Sequence, residues 1–266
     1  MTVLERILAK KKITVEETKR QRPFSQLRKD LEKIEIGSKS LYKAIKRQPN
    51  EPIKLIAEIK RASPTKGKFK NFDIELMSDI YVSSGADAIS VITEEDFFFG
   101  SPEFLIRIKN RHPELPVLRK DFIFDEYQLY ESKLLKVDAV LLIANILNKD
   151  QCKNFYELAK SLGIDVLFEI HDEEDLEKAL FVDADIIGIN NRNLKTLEVD
   201  INTTFKLKEK IPQNKIVVSE SGISEKSHII ELLKCGVDAV LVGTSIILSD
   251  NPGEKIRELK FLFGSE

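Results

Sequence analysis

From residue 53 onward, short runs rich in Val, Ile and Leu recur along the chain, and most are followed by a stretch with helical periodicity. The strand-like runs cover 53–59, 87–92, 116–120, 138–143, 165–170, 185–190, 215–220 and 238–243. Helical patterns between them include 74–84, 125–135, 149–162, 173–182, 201–211 and 225–235, with a last one over 252–263. Runs this uniformly apolar read as strands buried on both faces, and strict alternation with helices makes them parallel. Eight such units in about 210 residues predict an α/β fold, a (β/α)8 TIM barrel, rather than an open sheet.

The joints between helix and strand support that reading. Gly85-Ala86-Asp87-Ala88 and Gly236-Val237-Asp238-Ala239 end a helix with glycine and enter a strand through Asp. Lys136-Val137-Asp138-Ala139 and Val182-Asp183-Ala184-Asp185 occupy matching places without the glycine. These Asp residues fall at strand N-termini, the stability face of a barrel, so their expected role is structural.

The first 50 residues differ. They carry a helical apolar pattern (Val3, Leu4, Ile7, Leu8, then Leu27, Leu31, Ile34), and Gln48-Pro49-Asn50-Glu51-Pro52 separates them from the first strand. The expected organisation is a helical extension over 1–50 packed on a barrel over 51–266. The extension is too short to hold much of a core alone.

Charge sharpens the contrast. The whole chain carries a net −2, yet residues 1–50 hold 14 Lys/Arg against six Asp/Glu. A basic arm can bind nucleic acid, but this one lacks interleaved aromatics for base stacking. The reading favoured here is helices packed on the barrel, with positive charge exposed or turned toward an anionic substrate, and no nucleic acid.

Composition bounds the rest. With 266 residues, 42% of them hydrophobic, one large core is within reach. The longest apolar runs are strand-sized, such as Ala139-Val140-Leu141-Leu142-Ile143, and no signal-peptide region opens the chain. The expectation is therefore a cytoplasmic protein with no membrane association. Cys152 and Cys235 lie in separate helical patterns without CxxC spacing, which indicates neither a disulfide framework nor a zinc site.

The candidate chemistry sits where the strands end. Glu58 and Lys60 are two residues apart on the first strand and so point the same way. Such a pair is either an inward ion pair or acid–base machinery. Repetition favours chemistry: Arg119-Lys120-Asp121, Glu169-Ile170-His171, Asn190-Asn191-Arg192 and Ser219-Glu220-Ser221 close four more strands. Ser221-Gly222-Ile223-Ser224 and Gly243-Thr244-Ser245 follow adjacent strands, where glycines either make tight turns or let backbone N–H groups hold a phosphate; phosphate is the reading taken.

Apolar residues share that face. Phe97, Phe98 and Phe99 follow the second strand and Phe122 the third, while Leu141-Leu142-Ile143 ends the fourth. They could wall a planar apolar group, with Phe98 the preferred candidate, and Phe97 and Phe99 could equally plug the loop. His171 is expected to serve as helix-start packing or a hydrogen-bond partner behind the site. Without a dinucleotide fingerprint, Walker loop or His/Asp/Glu metal cluster, the expectation is cofactor-free acid–base chemistry with no metal.

In these residues the chain resembles the indole-3-glycerol phosphate synthase family. The likeness rests on Ile56-Ala57-Glu58-Ile59-Lys60-Arg61-Ala62-Ser63-Pro64, Thr93-Glu94-Glu95, Lys120-Asp121-Phe122, Gly188-Ile189-Asn190-Asn191-Arg192, Ser219-Glu220-Ser221-Gly222-Ile223 and the basic extension, in the right order over nearly the whole chain. The resemblance implies a carboxy-lyase of tryptophan biosynthesis. Its reaction converts 1-(2-carboxyphenylamino)-1-deoxyribulose 5-phosphate to indole-3-glycerol phosphate, carbon dioxide and water.

The resemblance also implies roles. Lys120 matches the general acid of ring closure, and Lys60 with Glu169 the acid and base of dehydration; Glu58 lies close by, and which carboxylate is the base stays open. Asn190 and Arg192 would position substrate and carboxylates, and Glu220 with Ser221 would bond substrate hydroxyl or amine groups. Gly222, Gly243 and Thr244 would supply phosphate-binding amides, with Ser63 near the same end. Thr244 departs from the serine familiar there.

The implied partner is a phosphorylated small molecule, handled by a monomer that could associate with other tryptophan-pathway enzymes. The rival readings are a barrel isomerase such as phosphoribosylanthranilate isomerase and a non-catalytic scaffold. Neither calls for a lysine pair with three glutamates.

Overall fold

The computed structural model describes residues 1–33 and 39–260. Eight parallel strands close into a barrel: β1 Lys54–Ile59, β2 Ala88–Ile92, β3 Val117–Lys120, β4 Ala139–Ile143, β5 Asp165–Ile170, β6 Ile186–Asn190, β7 Ile216–Glu220 and β8 Ala239–Val242. Each strand pairs with its chain neighbours, and β8 closes on β1 with Leu55 opposite Val240. The expected boundaries hold to within a residue.

Alternation along each strand sorts the core into two parts. Ile56, Leu118, Leu167 and Val218 fill the barrel interior, while Leu55, Ala57, Val91, Leu142 and Phe168 pack outward under the helices. The residue two places after each of those four interior groups also points inward, and these are Glu58, Lys120, Glu169 and Glu220. One parity thus builds an apolar floor and, one layer higher, the polar strand ends.

Three helices precede the barrel: α1 Val3–Gln21, α2 Phe24–Leu31 and α3 Leu41–Ile45. Thr2 and Glu5 form a capping box that starts α1. Leu4 and Ile7 of α1, and Leu41 and Ile45 of α3, join the same apolar cluster as the barrel interior. Between them Phe24 of α2 meets Tyr130 edge-on, with ring centroids 4.9 Å apart. The arm therefore runs from the C-terminal mouth of the barrel, down one side, to the N-terminal mouth. Ile34 lies outside the described residues.

Most of the arm's Lys and Arg side chains are exposed, as expected, among them Arg6, Lys12, Arg20, Arg28 and Lys29, but some of the charge pairs with the barrel. Lys11 is buried and donates to Asp121 at 2.8 Å, Lys19 to Asp125 at 2.6 Å, and Lys10 lies 3.7 Å from Asp96. Carboxylates of the acidic barrel supply the partners, which accounts for part of the charge asymmetry.

The remaining helices are α4 Ile74–Ser83, α5 Pro102–Arg111, α6 Glu126–Leu134, α7 Lys149–Ser161, α8 Glu173–Phe181, α9 Asn202–Lys208, α10 Lys226–Lys234, α11 Thr244–Ile247 and α12 Pro252–Leu259. α5 and α11 add to the helical patterns read above. The predicted end of α12, 261–263, falls outside the described residues. A short hairpin, Ala62–Ser63 with Gly67–Lys68, follows β1 at the catalytic end.

Candidate active site

The inward strand ends converge on a cavity of about 520 Å³ at the C-terminal mouth. All fifteen residues proposed from the sequence line it: Glu58, Lys60, Ser63, Phe98, Lys120, Phe122, Leu141, Glu169, Asn190, Arg192, Glu220, Ser221, Gly222, Gly243 and Thr244. Glu58 and Lys60 are 2.6 Å apart. Lys120 lies between two acids, 2.5 Å from Glu220 and 3.4 Å from Glu169. Register fixes this arrangement, because Asn190 pairs with Glu220 and Glu169 with Gly188 on neighbouring strands.

Burial and charge compete in Lys120, Glu58 and Glu220. For Lys120, burial disfavours the ammonium, but the carboxylates of Glu220, Glu169 and Glu58 outweigh it and push its pKa up. For Glu58, burial works against the charged form, yet Lys60, with Lys120 and Arg192 beyond it, holds the carboxyl below the usual range. Glu220 goes the other way: burial pushes it up to about 7 despite Lys120, and Glu169 adds to the rise. Its second oxygen, Oε1, is buried and has no protein partner among the described residues. The array thus holds a proton-rich lysine beside a carboxyl that changes charge near neutrality.

Gly188 makes that possible. A Cβ there would come within 2.3 Å of Glu220 Oε1, so any side chain on β6 at this point would displace the acid. Gly243 does the same for Glu58, with a Cβ only 2.6 Å from its Oε1. Gly243 was read from the sequence for phosphate alone; here it also clears space for a carboxylate.

The opposite end of the cavity suits an anion. Ser221 and Gly222 both take positive φ, 68° and 77°, which turns the backbone after β7 sharply. Gly243 is the N-cap of α11; its carbonyl accepts the Ile246 and Ile247 N–H groups at 3.1 and 2.9 Å, which leaves those of Thr244 and Ser245 ahead of the first helical bond. Ser63 accepts the Lys66 N–H at 3.1 Å and stands at the same cavity.

The apolar wall is made by Phe98 and Phe122, with ring centroids 6.2 Å apart, together with Leu141 and Ile143. Leu142 is absent from it because strand alternation turns it outward. Glu94 holds the Phe98 loop, its carboxylate accepting the N–H groups of Phe97 and Phe98 at 2.8 and 3.0 Å. Phe99 neither walls the cavity nor plugs the loop: it is 48% exposed, and Arg6 stacks on Phe97 instead.

Arg192 donates to the Leu197 carbonyl at 2.8 Å rather than to a carboxylate. His171 stands behind the site, as expected, its Nδ1 2.8 Å from the Asn190 carbonyl. Sequence reasoning missed Val3, Leu4 and Ile7, which line the cavity from α1, and Leu194 beyond β6. The apolar stripe of α1 was the available signal, but nothing local says which surface such a stripe covers. Among the described residues no group of three or more His, Cys, Asp and Glu could hold a metal ion.

This constellation has close counterparts. Residues 4–259 match the family model described as indole-3-glycerol phosphate synthase. The chain belongs to that family. The indole-3-glycerol phosphate synthase of Thermoanaerobacter pseudethanolicus is 47% identical over 257 residues, covering 96% of each chain. That of Endomicrobium trichonymphae is 44% identical over 265 residues, 97% of this chain and 99% of the relative.

Solved structures are more distant and speak to the fold alone. 3-Hexulose-6-phosphate synthase from Salmonella typhimurium aligns with a TM-score of 0.63 at 19% identity, over 78% of this chain and 97% of that one. A mutant tryptophan synthase α-subunit from Pyrococcus furiosus gives 0.58 at 18% identity, over 79% and 98%. Both lack counterparts for much of the remaining fifth of this chain. The match to the indole-3-glycerol phosphate synthase family model includes the α1 helix that lines the cavity.

Proposed function

We propose that this cavity carries out the decarboxylating ring closure and dehydration of 1-(2-carboxyphenylamino)-1-deoxyribulose 5-phosphate, giving indole-3-glycerol phosphate. The protein is a carboxy-lyase of tryptophan biosynthesis. The observation that carries the assignment of roles is Lys120 held between Glu220 and Glu169 at the centre of a cavity with an aromatic wall on one side and glycine turns on another.

On this reading the anthranilate ring lies against Phe98, Phe122 and Leu141, and the phosphate against Ser63, Gly222, Gly243 and Thr244. As the ring carbon bearing the carboxylate attacks the ketone, its oxygen becomes strongly basic and takes a proton from Lys120. The carboxylate leaves as carbon dioxide, and its bonding electrons restore the aromatic ring. Lys60 then protonates the departing hydroxyl, while a carboxylate takes the proton from the adjacent carbon.

Glu169 suits that last task better than Glu58. Glu58 is committed to Lys60 at 2.6 Å, whereas Glu169 pairs with Lys120 at the longer distance of 3.4 Å. Asn190, whose Oδ1 accepts the Arg192 N–H, and Arg192 position the substrate; Glu220 and Ser221 bond its hydroxyl or amine groups. The same reading takes the protein to act in the cytoplasm as a monomer. No described helix is long and apolar enough to cross a membrane.

The test is to supply the substrate without added metal or cofactor and follow indole fluorescence. Wild type should form product, and Lys120→Ala should lower kcat by about 10²–10⁴-fold while keeping the fold. A folded wild type that makes no product overturns the reading.

A further inference from the structure

Glu169 differs from the other strand-end acids in facing two cavities. Glu58 and Glu220 line the large one only, but behind Glu169 lies a side cavity of about 40 Å³. Its lining includes Glu169, His171, Asp172, Asp175, Asn190 and Lys195. That volume has room for water, and the lining is polar enough to hold it. Asp172 and Lys195 are exposed whereas Glu169 is buried, so the side cavity joins surface residues to Glu169.

His171 is arranged to pass a proton along it. A carbonyl only accepts, so the contact with Asn190 places a hydrogen on Nδ1. In the neutral ring Nε2 then carries the lone pair, and among the described residues no protein group donates to it. The backbone N–H of His171 is fixed by Asp175 at 3.2 Å. The ring is held at one nitrogen and open at the other.

The chemistry creates a need for such a route. In each cycle Lys120 gives a proton to the ketone oxygen and Lys60 gives one to the departing hydroxyl, while Glu169 receives one from carbon. Two are spent and one is recovered, because a carboxylate leaves as neutral carbon dioxide. Glu169 can return its proton to Lys120, 3.4 Å away, but the array remains one proton short.

We propose that this proton enters through the side cavity, from solvent to Nε2 of His171, through water to Glu169 and on to Lys120, and that the array passes one on through Glu58, 2.6 Å from Lys60, to restore that lysine while ligand still fills the main cavity. The inference rests on Glu169 being the dehydration base. It makes His171 a relay residue that never touches substrate.

The test compares wild type with His171→Ala, His171→Asn and Glu169→Gln, with circular dichroism checking the fold of each. His171→Asn can keep a donor toward the Asn190 carbonyl but cannot carry a proton. Both His171 variants should lose about tenfold in kcat, a modest share of what acid–base groups contribute, with KM within about twofold of wild type. Added imidazole should restore kcat in His171→Ala, which a purely structural role would not allow. Unchanged kcat in the folded variants, or a loss that imidazole leaves in place, overturns the relay while the synthase reading stands. An active Glu169→Gln overturns the base assignment and the relay with it.

Discussion

The two mouths of this barrel use the same functional group in opposite ways. At the N-terminal mouth, carboxylates at the strand entries are saturated by fixed donors. Asp87 accepts the Leu55 N–H at 2.8 Å, Asp138 that of Val117 at 2.8 Å, and Asp238 that of Val217 at 2.9 Å, each from the strand before. Asp165 accepts the Tyr42 N–H at 3.0 Å and so ties the arm to the same face. At the C-terminal mouth, Glu58, Glu169 and Glu220 line a cavity beside lysines 2.5–3.4 Å away, and among the described residues one oxygen of Glu220 has no protein partner. Each lower carboxylate has a backbone donor that cannot give up its hydrogen, so it stays locked into structure even where a lysine also pairs with it, as Lys260 does with Asp87; the upper ones pair with lysines, which can exchange protons, and remain available for chemistry. A site able to move protons is one whose charges are incompletely satisfied, and the fold bears that cost.

The comparison breaks most visibly at Asp138. Its side chain is fully buried and takes the Lys39 N–H at 2.6 Å and the Lys109 ammonium at 2.5 Å besides Val117. Asp138→Ala strands two amides and a cation, which predicts a loss of about 3–5 kcal/mol in urea unfolding. Below its unfolding transition the variant should keep kcat within about threefold of wild type, since the N-terminal mouth serves stability. A collapse of kcat comparable to that of Lys120→Ala would show that the two mouths are not separable.

Glu220 sharpens the same contrast through pH. Its folded pKa of about 7 lies above the ordinary 4.5, so the folded state binds more protons than the unfolded chain between those values. Stability therefore falls as pH rises through that window and levels off above about 7. The full effect is up to about 3 kcal/mol, taking about 1.4 kcal/mol for each pH unit. Asp175, pushed up to about 6 by burial, slopes the same way, so the measurement is the difference between wild type and Glu220→Gln in urea unfolding at pH 5 and pH 8. An identical slope in both proteins would assign it elsewhere and leave the two mouths alike in this respect.

What the sequence made legible follows from locality. Strand boundaries and inward parity are written in period-two alternation and apolar runs, and the C-terminal rule for barrels then gathers Glu58, Lys60, Lys120, Glu169, Asn190 and Glu220 without further information. The reading faltered where a residue's purpose lies far along the chain. Lys11 and Asp121 pair across 110 positions, and Leu4 and Ile7 reach the cavity from a helix whose docking surface no local pattern specifies. Gly188 belongs to the family motif, but its physical reason is the acid on the next strand, visible only once β6 and β7 are in register. Most of the arm's positive charge is exposed, as its sequence suggests; the pairing of Lys11 and Lys19 with the barrel is hidden because their partners are equally remote.

The smallest expected effect tests how closely the stability face has been tuned. Gly85, Gly163 and Gly236 end their helices with φ of 96°, 70° and 79°, and at the matching joints Lys136 and Asp183 adopt φ of 56° and 53°. A side chain in that region costs about 1 kcal/mol, part of which glycine returns through its freer unfolded state. Lys136 is exposed, so Lys136→Gly should raise unfolding free energy by roughly 0.5–1 kcal/mol. Asp183 is different, because its carboxylate pairs with the buried Lys215, whose ammonium also donates to the Asp183 carbonyl at 3.2 Å. In Asp183→Gly the relief of backbone strain is offset by a cation left with one partner fewer, and the net change should lie near zero. A gain at 183 equal to that at 136 would mean that the Lys215 pair contributes nothing, and that this mouth too carries charge without structural return.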